Sequence, residues 1–348
     1  MNDDWEIEEK VKRSLEKWGL SDLSLEDKLG RLSGGQKTKV FLTGMEIHEP
    51  EVILLDDKSQ EIFRTRIPTS RNDYSRTLHD LGDLVAQAES VAKALMVERG
   101  APICNDVIPV GIGIPGSISR KTGLVKNANS NWLNGQPFQR DVSLHLKRDV
   151  KVTNDANCLA VSEATDGAGV GYGVVFAAIL GTGCGAGVTC NGKPLVGPNG
   201  VGGEWGHNPL PWTSGGELAM RPCYCGKNGC QETFLSGTGL SHSFSIASSE
   251  TLSGNEIAAL AAQDHSVARQ VLDTYIDQLA RGLAAVVNVI DPDIIILGGG
   301  VSNISEIYRA LPQILPRYVF GGECDTPVVQ AMHGDSSGVR GAAWLNPI

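Results

Sequence analysis

The stretch "VVFAAILGTGCGAGVTC", residues 174–190, runs apolar for seven residues, breaks into glycines and resumes as a second apolar segment. A first half without charge reads as a strand covered on both faces, because a half-wetted strand would alternate with polar residues. Gly181, Thr182 and Gly183 then make a tight turn whose backbone N–H groups can face an anion, and the chain returns as the second strand of a hairpin. A related stretch, "DIIILGGG" at 293–300, ends its apolar strand in Gly298, Gly299 and Gly300, where close backbone approach and a helix dipole favour a nucleotide. Each glycine turn alone is common. Two of them on one pattern point to a phosphate-bearing ligand.

Outward from that pair, the pattern repeats. Residues 107–114 form an aliphatic strand closing on Gly113-Ile114-Pro115-Gly116, and residues 150–153 form a short strand that delivers Asn154-Asp155 to a helix beginning near 156. Strands are predicted at 52–55 and 61–67, and long helices at 74–99 and 266–290. Helical spacing of Trp5, Ile7, Val11, Leu15 and Trp18 predicts an amphipathic helix over 5–19, and a second helix follows Ser33. Strands followed by glycine turns and helices, repeated twice, describe an α/β protein with two lobes.

A chain of 348 residues fits two domains of moderate size. Its net charge of −10 argues against nucleic acid or an anionic membrane, either of which rewards a basic face. No apolar run approaches the roughly 18 to 20 residues that span a bilayer. The acidic start, Met1-Asn2-Asp3-Asp4, lacks the basic-then-apolar order of a signal peptide, so a cytoplasmic location is expected. In a reducing compartment Cys104, Cys158, Cys184, Cys190 and Cys324 read as small buried hydrophobes.

The remaining cysteines behave differently. In "HNPLPWTSGGELAMRPCYCGKNGCQE", residues 207–232, His207 precedes Cys223, Cys225 and Cys230, a spacing that suits a tetrahedral Cys3His zinc site. Four protein ligands leave no open position, which makes the expected zinc structural: it would fold a loop that cannot build its own core. "TNDAN", residues 153–157, supplies a candidate base in Asp155 beside Asn154; the same residues also suit a helix N-cap.

Together "GIGIPGSI", "TNDAN", "GTGCGAG", "GEWGH", "CYCGKNGCQE" and "DPDIIILGGG" resemble the ROK family of sugar kinases and repressors, over residues 51–348. Within it, "VKNANSNWLNGQPF" and the C-terminal "FGGECDTP" and "HGDSSGVRGAAW" are most similar to the bacterial fructokinases. The resemblance implies an actin-like, ribonuclease-H-like pair of lobes and ATP-dependent phosphoryl transfer to a hexose hydroxyl, with fructose the expected sugar. By the same resemblance Asp155 would be the general base, and Asn154, Glu204, His207 and Glu232 would hold sugar hydroxyls, with Asn129, Gly116 and Ser117 lining the pocket. Gly181, Thr182 and Gly183 would lie near the phosphates of ATP and its Mg2+, and Gly298, Gly299 and Gly300 near the adenosine. His207 would serve zinc and sugar together. A homodimer is expected.

The chain departs from this family at its start. The family opens with a strand and a D-x-G-G-T-K turn, whose aspartate helps hold magnesium; that motif is absent here. Residues 1–57, with "RLSGGQKTKVFLTGMEIHEPEVILLDD" at 31–57, instead resemble part of an ABC-F type ATPase without its phosphate loop, which suggests a chimera joined between 51 and 57. Gly34-Gly35-Gln36-Lys37 could stand in for the lost turn, although Leu32 and Ser33 bring no carboxylate to it. The expected division is an ABC-like segment at 1–50, a small lobe at 51–150 rejoined by a C-terminal helix from 335–348, and a large lobe at 151–334 carrying the zinc loop 207–232. Two rival readings follow from the same family and the same defect: a sugar-responsive repressor, and a sugar-binding protein that has lost catalysis.

Overall fold

The computed structural model describes residues 51–55, 59–68, 70–98, 108–128, 130–218, 221–334 and 337–346. The ABC-like segment 1–50 with its 34–37 turn, Asp56, Asp57, Cys104 and Asn129 lie outside the described residues.

The first described residues form an antiparallel hairpin of β1 (Glu51–Leu55) and β2 (Glu61–Arg66). Helix α1 (Tyr74–Glu98) leads to β3 (Val110–Ile114), a small hairpin of β4 (Ser117–Ile118) and β5 (Val125–Lys126), α2 (Phe138–Leu146), β6 (Val150–Asn154) and α3 (Asp155–Asp166). Strand β3 starts three residues later than its aliphatic run suggests. It pairs in parallel with β6, Ile114 opposite Asn154, so the Gly116 turn and the Asn154-Asp155 step emerge side by side. Alternation divides the faces of β3. Val110, Ile112 and Ile114 pack in one cluster with Leu78, Leu81, Phe138 and Val142 of α1 and α2, whereas a side chain added at Gly111 or Gly113 would meet Ala342 or Cys158 on the other side.

The second half begins with β7 (Val174–Leu180), β8 (Cys184–Cys190) and β9 (Lys193–Pro194). Helices α4 (Glu232–Leu235), α5 (Gly237–Ser248), α6 (Gly254–Ala261) and α7 (Ser266–Ile290) follow, then β10 (Ile294–Gly298), α8 (Ser305–Ile314), β11 (Val328–Gln330) and α9 (Ser337–Ala343). One sheet runs in the order β11-β10-β7-β8-β9. Local chemistry sets the helix boundaries: Ser253 and Glu256 close a capping box on α6, and α7 ends at Asp291 in the left-handed conformation.

The uncharged run of β7 is covered on both faces. Phe176, Ala178 and Leu180 join Phe234, Tyr275 and Leu279, while Val175 and Ala177 join Leu159 and Ala160 of α3. Burial of each large side chain contributes about 1.5–3 kcal/mol, and the Tyr275 hydroxyl within this core donates to Leu235 O at 2.8 Å. Strand β10 lies parallel to β7 with Gly298 opposite Ile179, which brings both glycine turns to the same edge of the sheet.

The end of the chain returns to α3 and β3. A Cβ on Gly341 would sit 1.7 Å from Cys158 O, so α9 meets α3 backbone to backbone. Glu163 of α3 is fully buried and accepts from the Ala168 and Met332 N–H groups at 2.9 and 3.1 Å and from Ser337 Oγ at 3.1 Å. Those donors offset the cost of desolvating its carboxylate. Cys158 and Cys184 are buried as expected, but Cys324 is half-buried and Cys190 exposed, because Cys190 is the last residue of β8 and leads into the turn at Asn191. Among the described residues no helix is long and apolar enough to cross a membrane.

Candidate active site

Asn154 and Asp155 divide the work that their sequence left open. Asn154 caps α3, its Oδ1 accepting the Ala156 N–H at 2.9 Å, and its Nδ2 donates to Gly116 O at 2.9 Å, which pins the end of β6 to the turn after β3. Asp155 Oδ1 shares the Ala156 N–H at 2.8 Å, and the residue remains exposed. Although solvent reaches this carboxyl, crowding by the protein raises its pKa; the Ala156 N–H opposes the rise and the Glu204 carboxylate adds to it. A carboxylate with raised proton affinity and an open face is suited to taking a proton.

The strand that leaves the first glycine turn lies against the start of this helix. A Cβ on Gly187 would come 2.3 Å from Ala156 O, and one on Gly185 3.7 Å from Ala156 Cβ, so the start of α3 rests on the start of β8. Within the turn the Gly181 N–H donates to Gly183 O at 3.1 Å, while Gly181 O accepts from Gly237 N–H and Thr182 O from Thr238 Oγ1. The second turn touches the first: Gly299 has φ +81°, and a side chain there would lie 2.7 Å from the Leu180 carbonyl. Only glycine adopts that conformation in that space without strain. The two turns therefore form one continuous backbone surface at the ends of β7 and β10, with Thr182 and Gly300 exposed.

Residues 203–207, "GEWGH", are pressed on to β8 from the other side. Gly203 and Gly206 approach the Ala186 and Cys184 carbonyls so closely that a Cβ would sit 2.1 and 1.9 Å away. Buried Trp205 anchors the segment by donating from Nε1 to Gly185 O at 3.1 Å and meeting Phe176 edge-on. Glu204 is left exposed beside Asp155, and His207 is carried toward the cysteines. Glu232, at the start of α4, accepts the Cys184 N–H at 3.0 Å and also faces Gly183, where a Cβ would come within 2.8 Å of its Oε2. Buried Ser117 lies just beyond the Gly116 turn.

His207, Cys223, Cys225 and Cys230 present one ligand atom each within 4.8 Å of one another. His207 Nδ1 lies 3.6 Å from Cys223 Sγ, and Cys225 Sγ lies 3.6 Å from Cys230 Sγ. Tetrahedral zinc with Zn–S bonds near 2.3 Å separates its sulfurs by about 3.8 Å, so this donor set fits the ion in type and size. Burial first, and the neighbouring sulfurs second, push the Cys230 thiol up to about 12, a crowding that a divalent cation would relieve. The loop before the cysteines is held by Arg281 of α7, whose Nη1 donates to Pro211 O and Trp212 O at 3.1 and 3.0 Å and whose guanidinium also pairs with Glu217.

Tyr224 is the residue that sequence reasoning missed. Standing between two candidate ligands, it bonds His207 Nε2 through its hydroxyl at 3.0 Å and meets the imidazole edge-on. Burial, then Glu232 and Glu204, raise its phenol to about 12, which places it among the same carboxylates. The middle position of C-x-C was the available signal, because two bound neighbours would fix its direction.

The chain matches the ROK family over residues 45–347. It is 37% identical over 309 residues to an N-acetyl-D-glucosamine kinase of Escherichia coli O139:H28, a match that covers 87% of this chain and 98% of the relative. A ROK hexokinase from Thermus thermophilus superposes with a TM-score of 0.70 at 27% identity, covering 84% of this chain and 97% of the other. A ROK family glucokinase from Streptomyces griseus, solved with glucose and AMPPNP, gives a TM-score of 0.64 at 26% identity over 84% and 94%. The curated relative acts on an N-acetylated hexosamine, so the expectation of fructose, drawn from short local motifs, is not supported. The family match starts at residue 45, within the stretch that resembles an ABC-F type ATPase, and the comparisons do not support that ABC-type resemblance. The chain belongs to the ROK family.

Proposed function

We propose that this ROK family chain is an ATP-dependent sugar kinase whose acceptor is an N-acetylated hexosamine, N-acetyl-D-glucosamine first. One observation carries the assignment of the chemistry: Asp155, exposed and with a raised pKa, stands at the start of α3 where that helix rests on β8 beside the 181–185 glycine turn. The choice of acceptor is supported by the 37% identity to the Escherichia coli enzyme.

In this reading Asp155 takes the proton from the attacking hydroxyl. Asn154, Glu204, His207 and Glu232 hold the remaining hydroxyls, with Gly116, Ser117 and Asn129 along the pocket wall. Carboxylates, an amide and an imidazole match a sugar's mixture of donors and acceptors. Gly181, Thr182 and Gly183 face the phosphates, and Gly298, Gly299 and Gly300 the adenosine. ATP with Mg2+ supplies the phosphoryl group, and the protein's share of catalysis is positioning and charge stabilisation. Zinc on His207 Nδ1, Cys223, Cys225 and Cys230 is structural, which leaves His207 Nε2, bonded to Tyr224 in this structure, to meet a sugar hydroxyl. Coupled ADP release with N-acetyl-D-glucosamine, N-acetyl-D-mannosamine, glucose and fructose tests the proposal. Turnover highest with an acetamido sugar is expected; binding of sugar without turnover on any of them would sink the kinase reading.

A further inference from the structure

His207 presents its two ring nitrogens to different partners. Nδ1 faces Cys223 Sγ at 3.6 Å within the cysteine cluster, and Nε2 meets the Tyr224 hydroxyl at 3.0 Å. A neutral imidazole carries one N–H, and committing Nδ1 to a metal places that hydrogen on Nε2. Nε2–H then donates to the phenol oxygen. One N–H serves one well-aligned acceptor at a time. In the sugar site proposed above, on which this inference rests, the same N–H is offered to a sugar hydroxyl. Phenol and sugar therefore compete for a single hydrogen.

The position of Tyr224 allows that exchange. Its backbone is held, because Cys223 N–H donates to Lys227 O at 2.8 Å and Gly226 N–H donates to Cys223 O at 3.0 Å. Its side chain is not held in the same way: 83% of the residue is exposed, so the ring can leave its edge-on contact with His207 by rotation alone, without opening a core. The phenol also lies where the sugar would. Glu232 first and Glu204 second are the charged groups that act on it most, and both are carboxylates assigned to sugar hydroxyls.

We propose that Tyr224 is a reversible occupant of the sugar site, holding His207 Nε2 in the free protein through the bond that a sugar hydroxyl takes over on binding. The contact orients the imidazole before the sugar arrives. It also sets affinity, because each sugar that reaches His207 replaces a bond already made and gains only the difference.

Tyr224→Phe keeps the ring and removes the competing hydroxyl. In calorimetry without ATP, the variant should bind N-acetyl-D-glucosamine about two- to tenfold more tightly than the parent, the worth of one neutral hydrogen bond. A spectroscopic signature should accompany the gain: the Nε2–H signal of His207 in nitrogen–proton NMR differs between the two proteins without sugar and coincides when both are saturated. Equal or weaker binding by the variant, or a difference in the His207 signal that persists at saturation, overturns the proposal and leaves the sugar site standing. Less zinc in the variant than in the parent, by atomic absorption, overturns it too, because the phenol would then be holding the loop. Binding of no sugar by either protein overturns the sugar site and the proposal together.

Discussion

The five-stranded sheet and the strands of the first lobe are built from similar residues but differ in burial and, among the described residues, in pairing. Strand β10 has a partner on each edge and a helical layer on each face, and all five of its residues are buried. Strand β1 has one bonded edge among the described residues, and of its five residues only Ile53 is buried. The glycine turns proposed for ATP sit on the five-stranded sheet; the Gly116 turn, proposed for sugar, leaves from the β3–β6 pair. Phosphoryl transfer draws on both ligands, so the proposed site spans one fully buried strand and one that is mostly half-buried.

Four experiments probe that contrast. The largest effect is expected at the junction of the two regions: Asp155→Asn should lower turnover by about 10²–10⁴-fold while sugar affinity, read by calorimetry, stays close to that of the parent. Equal turnover would remove Asp155 from the reaction. Next, Cys230→Ser should abolish zinc uptake and lower the melting temperature, since the loop holding His207 has little core of its own; metal content by atomic absorption checks it. The sheets themselves are compared by Ile295→Ala, expected to cost about 2–5 kcal/mol in denaturant melts, against Ile53→Ala at under about 2 kcal/mol. Equal losses would mean that β1 is packed as tightly as β10. The smallest effect is electrostatic. Asp155 acts as a base only when ionised, and Glu204 helps raise its pKa, so Glu204→Gln should move the acidic limb of the kcat/KM profile to lower pH. An upward shift would contradict that coupling.

Much of the fold was legible because its signals are local. The uncharged run 174–180 required two covered faces and has them, and the glycines at 181–183 and 298–300 mark strand ends whatever they bind. The His207 and cysteine spacing showed a cluster because ligands must converge. What escaped was non-local. Glu163 reads as one more helix glutamate until Met332 and Ser337 arrive from the end of the chain to bond it. Tyr224 carried no periodicity, and its contact with His207 exists only once the cysteines have folded. Fructose found no support for a related reason: the groups in those short motifs match hydroxyls in general, and nothing in them encodes an acetamido group.

Phosphoryl transfer to an N-acetylated hexosamine is tested most directly by ADP production. The unaltered full-length protein is assayed with N-acetyl-D-glucosamine, alongside Asp155→Asn. Sugar-dependent turnover and a phosphorylated sugar product are expected from the first, and loss of both from the variant. No sugar-dependent ADP from a folded protein that still binds N-acetyl-D-glucosamine would contradict the assignment.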